Sequence, residues 1–283
     1  MGEGAVDGVV GRTDATNDQG PPTVDHSLDA SERLAKLFRS ARHIVALTGA
    51  GMSTESGIPD YRGPGGVWER NDPPTIGDFR ENAATRADYW RRRREGYPRM
   101  AAAVPNVGHR ALVTLARSGR LAAIVTQNID GLHQQAGSDP LSVLELHGTT
   151  HVVRCLVCNA SFSAPDVQDR LDAIEGAPPC ERCGGPLRAA TILFGEALPP
   201  EILRRAVAAA RASDLLLVVG TSLIVNPAAR LPVLAKQAGA RLAIVNRTET
   251  PLDGLADLVV RGDAGPVLTA AVATLAGESR PIA

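Results

Sequence analysis

The chain has 283 residues, 44% hydrophobic and 22% charged, with a net charge of −1 from 30 basic and 31 acidic side chains. That length holds one large domain, or one large and one small. The charge balance excludes a strongly basic nucleic-acid binder, and no apolar run reaches the ~20 residues needed to span a bilayer.

The first residues, MGEGAVDGVVGRTDATNDQGPPTVDHS, lack the basic and apolar regions of a secretory leader. Rich in Gly, Asp, Pro and Thr, residues 1–28 read as a flexible extension. Without an export signal the cytoplasm is the expected compartment, where cysteines stay reduced. Asp29 or Ser31 is expected to cap a first helix, with Glu32 completing a capping box. Apolar runs follow at His43–Leu47, Leu121–Val125, Leu144–Leu146, Leu215–Val219, Leu242–Val245 and Leu258–Val260. Most are continuous rather than alternating, as in a parallel sheet buried on both faces. PEILRRAVAAARAS and PAARLPVLAKQAG between them read as helices, and the alternation indicates an open α/β sheet. Polar and Gly-rich motifs stand directly after the runs, where such sheets bind ligands. Two stretches break the alternation: 61–105, rich in Arg and Pro, and 148–195, which holds every cysteine. These two stretches are expected to form a small helical and zinc-ribbon domain, inserted into a main domain of residues 29–60, 106–147 and 196–275.

The cysteines form two Cys-x-x-Cys knuckles, Cys155 with Cys158 and Cys180 with Cys183, separated by 21 residues. Four thiolates from two knuckles make the closed tetrahedral set of a structural zinc ion, with no open position for a substrate. Redox dithiols, free thiols and an iron–sulfur cluster are the alternatives.

After the first apolar run comes Thr48-Gly49-Ala50-Gly51-Met52-Ser53. Two glycines there allow close approach to a diphosphate, and a helix starting near Ser53 would aim its amides at it. The turn alone is weak, since any tight βα turn can carry it. The segments GAGMSTESGIPDYRG, TQNIDGLH, ELHG, GTSLIVNPA and the flanking knuckles together resemble the sirtuin family, over residues 30–275. The stretch Asp72–Arg94 is most similar to its class II branch.

That resemblance implies a Rossmann-like sheet that binds NAD and a separate structural Zn2+. It implies diphosphate contacts from Gly49, Ala50, Gly51 and Ser53, and a cofactor loop at Pro59, Asp60, Tyr61 and Arg62. Gln127, Asn128, Ile129 and Asp130 would line the nicotinamide and ribose pocket. Gly220, Thr221 and Ser222 would touch phosphate or ribose, with Asn246, Arg247 and Thr248 on the adenosine ribose and Ala264, after Asp263 at the end of the last strand, near adenine. His147 would be the general base, with Asn128 and Asp130 beside it as catalytic residues; an imidazole suits proton transfer near neutrality. The implied reaction starts with attack of the acyl oxygen on the ribose C1′ and departure of nicotinamide. His147 then activates a ribose hydroxyl, and the products are free lysine, nicotinamide and O-acyl-ADP-ribose. Acylated-lysine proteins would bind as extended peptides between Leu223–Val225 and Phe194–Glu196. Neither a membrane nor a nucleic-acid partner is implied, and no motif specifies an oligomeric state. His109, His133 and His151 lack comparable context, and His133 is expected to pack or hydrogen-bond.

Tyr89 and Arg92 stand at the spacing that, by the same resemblance, binds the carboxylate of a succinyl or malonyl group; a guanidinium suits that task. The run Arg91–Arg94 also fits a solvated helix face. A mono-ADP-ribosyltransferase and a non-enzymatic NAD or ADP-ribose sensor are the competing functions.

Overall fold

The computed structural model describes residues 24–25, 28–63, 66, 73–171 and 173–277. In chain order, β1 (Val24–Asp25), α1 (Leu28–Ser40) and β2 (Ile44–Thr48) precede α2 (Ile76–Glu81), α3 (Ala83–Ala102), α4 (Val107–Arg117) and β3 (Leu121–Thr126). Then come α5 (Leu132–Gln135), β4 (Val143–Glu145), β5 (Gly148–Cys155), β6 (Ser161–Ser163), α6 (Ala164–Leu171) and β7 (Leu187–Thr191). The chain closes with α7 (Pro200–Ala212), β8 (Leu215–Val219), α8 (Leu231–Gln237), β9 (Arg241–Val245), β10 (Leu258–Val260) and α9 (Ala264–Gly277). Among the described residues, no helix is long and apolar enough to cross a membrane.

Seven strands form a parallel sheet in the order β1-β10-β9-β8-β2-β3-β4. From β2 the chain moves outward through β3 and β4, then returns to β8 on the other side of β2. The order reverses there, and the crevice outside such a reversal is where open α/β sheets hold ligands.

Alternate residues of each central strand feed opposite cores. Ile44, Ala46, Leu215, Leu217 and Val219 join Leu34, Phe38, Leu112 and Leu268 on the face covered by α1, α4 and α9. Val45, Leu47, Leu216 and Val218 join Ala206, Ala210, Leu231 and Ala235 beneath α7 and α8. With both faces covered, the middle positions of these strands are apolar and polar residues stand at strand ends, as Thr48 and Thr126 do, so the segments read as continuous apolar runs. Each such Leu, Ile or Val contributes about 1.5–3 kcal/mol by burial.

The second sheet is antiparallel, in the order β6-β5-β7. Its core joins Trp90 and Tyr97 of α3 to Val153, Val167, Leu171 and Leu187. The Trp90 indole donates to the Leu187 carbonyl at 3.0 Å, which secures α3 to β7. The arginine run is not a solvated face throughout. Arg91 is exposed, but Arg94 turns inward to the Leu171 and Ile174 carbonyls.

Local expectations shift at several points. Helix α1 begins at Leu28, so Asp29 and Ser31 lie in its first turn instead of capping it. Val24–Asp25, within the expected extension, pair with Val259 and Val260; residues 1–23 lie outside the described residues. The strand read at Leu144–Leu146 is shifted one residue earlier, ending at Glu145.

Candidate active site

The glycine-rich turn leaves the carboxyl end of β2 directly beside the turn leaving β8. A Cβ on Gly49 would lie 2.6 Å from the Thr221 Cβ and 2.8 Å from the Gly220 carbonyl oxygen, and one on Gly51 would lie 2.8 Å from the Gly220 Cα. Gly51 N–H donates to the Gly220 carbonyl at 2.8 Å, and Gly220 holds a left-handed φ of 60°. The glycines are thus demanded by the neighbouring turn, which leaves no room for side chains between the two strand ends. No α-helix starts at Ser53. Short 3-10 turns at Ala50–Met52 and Thr54–Ser56 flank it. Asn106 anchors the turn: its side-chain amide donates to the Met52 carbonyl at 2.8 Å while its oxygen caps α4. Sequence reasoning passed over Asn106, although its position just before an apolar helix is a capping signal.

From β3 the chain enters Gln127–Asp130. The Gln127 amide side chain donates to Thr221 Oγ1 at 3.0 Å, and the Asn128 backbone donates to Thr126 Oγ1 at 3.0 Å. Ser53 Oγ donates to Asp130 Oδ2 at 2.7 Å and accepts from Asn128 Nδ2 at 3.0 Å. Asp130 Oδ1 accepts the Leu132 amide at 3.0 Å, and Gly131 turns the chain at φ 69°. Ser53 is 1% exposed and Asp130 6%. Neither is among the residues that line the large cleft, and Asp130 lines a smaller pocket with Gln134, Glu145 and His151.

His147 lies in the short link between the two sheets. The Leu146 amide donates to the Thr126 carbonyl at 2.9 Å, and the His147 carbonyl accepts from Ile192 N at 3.0 Å, so one sheet holds each side of the link. His147 Nδ1 lies 2.9 Å from the Gln127 carbonyl oxygen. A carbonyl can only accept, so Nδ1 carries the proton and Nε2 keeps its lone pair. Burial lowers the His147 pKa below 6.5; the Gln127 carbonyl opposes that shift and the Arg62 charge adds to it. The ring is therefore a neutral base at neutral pH.

These parts open on one cleft of about 1700 Å3. Its lining includes Gly49, Ala50, Gly51, Pro59, Asp60, Tyr61, Arg62, Gln127, Asn128, Ile129 and His147. Gly220, Thr221, Ser222, Asn246, Arg247, Thr248 and Ala264 line it further along. The volume exceeds the roughly 300–1,000 Å3 of ordinary small-molecule pockets, enough for a dinucleotide with part of a second substrate. Ala264 does not follow the end of a strand; it is the first residue of α9, whose start is held by Gly265 N–H donating to Glu55 Oε1 at 2.8 Å. Asn246 donates its side-chain amide to the Thr248 carbonyl at 2.9 Å, and Arg247 pairs with Asp263. Burial raises the Tyr61 pKa, with Asp130 and Tyr89 adding to it.

Of the expected peptide edges, Ile224, Val225, Phe194, Gly195 and Glu196 line the cleft, with Ile224 58% and Phe194 39% exposed. The Phe194 carbonyl already accepts from Ile76 N at 2.9 Å, and Glu196 is ion-paired with Arg188. Tyr89 and Arg92 also line the cleft. Tyr89 accepts the Ala189 amide at 3.2 Å, and Arg92 pairs with Asp88 at 2.5 Å. His133 and His109 are buried elsewhere: His133 Nε2 lies 2.9 Å from Thr48 Oγ1, and the two rings are 4.9 Å apart.

The four cysteine sulfurs all lie within 4.8 Å of one another, with Cys155–Cys183 at 3.5 Å and Cys158–Cys180 at 3.7 Å. These spacings are too long for disulfides, and all four cysteines are free. Tetrahedral ligation at 2.3 Å per sulfur requires sulfurs ~3.8 Å apart, so the cluster fits one zinc ion closed to substrate. The Val157 and Cys158 amides point at Cys155 Sγ, as donors that favour its thiolate. None of the four lines the cleft.

Residues 49–227 match the model of the Sir2 family. A protein named NAD-dependent protein deacetylase 1, from Bradyrhizobium diazoefficiens, is 48% identical over 84% of this chain and 93% of its own. NAD-dependent protein deacylase 1 of Archaeoglobus fulgidus is 40% identical over 84% of this chain and 94% of its own. A solved complex described as Sir2–p53 peptide–NAD+ superimposes with a TM-score of 0.76 at 37% identity, over 84% of this chain and 95% of the other.

Proposed function

The chain belongs to the Sir2 family and is an NAD-dependent protein-lysine deacylase, and we propose that His147 Nε2 is its general base, with the cleft beneath the β2, β3 and β8 ends holding NAD. NAD supplies the electrophilic ribose carbon and nicotinamide as leaving group. Asn128 and Ile129 line the nicotinamide side, where the Asn128 position is set by Ser53 and Thr126. Asp130 acts through Ser53 and the α5 turn as a positioning residue. Arg62 and Asp60 cover the ribose, and the turns at Gly49–Gly51 and Gly220–Ser222 flank the diphosphate. Asn246 to Thr248 and Ala264 take the adenosine end. Acylated lysine enters as an extended peptide between Phe194–Glu196 and Leu223–Val225. A cytoplasmic setting agrees with four thiols held for a metal, since an oxidising compartment would pair them.

The observation that carries this reading is the His147 tautomer: with Nδ1–H committed to the Gln127 carbonyl, the remaining lone pair belongs to a neutral ring lining the cleft. The deciding experiment is an acyl-lysine peptide panel with NAD, read by mass spectrometry. Nicotinamide, free lysine peptide and O-acyl-ADP-ribose are expected, and His147→Ala should abolish them. ADP-ribosylated protein without O-acyl-ADP-ribose would replace the reading with a transferase. Unchanged turnover in His147→Ala would remove the base.

A further inference from the structure

Arg93, the third of four consecutive arginines of α3, makes bonds that lead toward the reaction. Its guanidinium stacks 4.4 Å from the Tyr97 ring centroid and 5.8 Å from that of Trp90. Both donors it directs at β5 meet one residue: Nη1 reaches Thr150 Oγ1 and Nη2 the Thr150 carbonyl, each at 2.8 Å. Thr150 is 3% exposed, and its own amide donates to the Ile129 carbonyl at 2.9 Å. One residue on, His151 Nε2 lies 2.7 Å from the Asp130 carbonyl oxygen. The start of β5 is thus a brace for the loop that lines the cleft. Arg93 fastens that brace to α3, and Arg93 and Thr150 both border the cleft that the loop lines. The same strand starts at Gly148, next to His147.

We propose that Arg93 is a positioning residue for the reaction: through Thr150 it holds Ile129 and so sets the geometry of the nicotinamide side of the NAD site. This rests on the deacylase reading above. A two-point, planar contact suits the role, because it fixes orientation as well as distance. The stacked rings hold the guanidinium plane, so the constraint on Thr150 is rigid and is not that of a wandering surface side chain. Arg94 is the built-in comparison. It anchors the same helix to Leu171 and Ile174, bears on no cleft residue and does not line the cleft.

The test compares Arg93→Met, Arg93→Lys and Arg94→Met in the full chain with its metal bound, varying NAD and acetyl-lysine peptide separately. Methionine keeps the aliphatic stem over Trp90 and Tyr97 but loses both donors. A helix anchor that merely holds the fold lowers the active fraction, and so lowers kcat without moving either KM. The brace should instead raise KM for NAD about 10-fold or more in Arg93→Met, with KM for peptide unchanged, since small displacements of positioning groups carry up to ~10²-fold costs. Arg93→Lys should recover part of that loss, and Arg94→Met should leave both KM values at wild type. Equal KM values for NAD in Arg93→Met and Arg94→Met would overturn the proposal. If Arg93→Met fails to fold, Thr150→Val removes one of the two acceptors and should raise KM for NAD about 3-fold; an unchanged KM there is equally fatal. A wild-type protein that releases no nicotinamide would overturn the deacylase reading instead, so the two failures are distinct.

Discussion

Ser53 tests whether the buried network behind the cleft matters more than direct contact with the cofactor. Its hydroxyl links the Asn128 amide to the Asp130 carboxylate, at 3.0 and 2.7 Å. Ser53→Ala removes a charge-assisted bond of about 1.5–3 kcal/mol and a neutral one of about 0.5–1.5 kcal/mol. Both partners are nearly closed to water, so neither can recover its bond from solvent. If about 2–4 kcal/mol of that loss reaches the transition state, kcat/KM for NAD falls by roughly 30-fold to 10³-fold. The assay is nicotinamide release under varied NAD for wild type, Ser53→Ala, Asp130→Asn and the double variant. Within one network the two losses should fail to add, with an interaction of about 1 kcal/mol or more. Ser53 acting as an independent phosphate ligand would give additive losses carried by KM alone, and that result would refute the network argument.

Removing the metal should expose the structural role of the cysteines: strong chelation or Cys158→Ser should lower the melting temperature and deacylation together, while full activity in metal-free protein would refute the role. Arg92→Met should lower desuccinylation more than 10-fold and deacetylation less than 3-fold if Arg92 serves an acyl carboxylate; equal losses would rule that role out and leave its pairing with Asp88 as structural. Because burial disfavours the His147 imidazolium, the acid limb of kcat/KM should fall below pH 6.5, and Arg62→Gln should move it upward by removing a nearby positive charge. A limb above 6.5 in wild type would contradict the site. Burial also lowers His133 to about 3 and His109 to about 4, so the unfolded chain takes up protons first. Stability should therefore drop as pH falls from 6.5 toward about 4, and a flat urea midpoint over that window would contradict the buried pair.

The parallel sheet was legible because its central strands are buried on both faces. Leu215–Val219 and Leu258–Val260 coincide with the apolar runs, since a run that ends in Gly or Arg leaves little freedom at its boundary. The zinc knuckles were legible because tetrahedral ligation dictates spacing. What could not be read is contact made across long separations. The GAG turn suggests a diphosphate loop, but its glycines answer to Gly220 and Thr221, about 170 residues later. Ser53 reads as a phosphate ligand by its place in that turn, yet its neighbours come from another strand end. The arginine run reads as one charged face because sequence does not reveal that Thr150 and Leu171 lie beneath it. Ala264 reads as a strand end because three apolar residues precede it nearby, whereas α9 has already begun.

The seam location of His147 explains how a remote metal can bear on the chemistry. Its carbonyl accepts from Ile192, just past the end of β7, while the adjacent Leu146 amide is held by Thr126 of β3. Its ring is tied to Gln127, which is itself tied to Thr221 beyond β8. The imidazole is thus referenced to both sheets, and any change in the angle between them moves Nε2 relative to the loop that faces it. The antiparallel sheet resists such a change only as far as its own small core is rigid, and two of the four cysteines, Cys155 and Cys180, are part of that core beside Trp90 and Tyr97. With barriers sensitive to ~1 Å, loss of the ion is expected to lower turnover by displacing Nε2 of His147, the base proposed above, with no contact between metal and substrate.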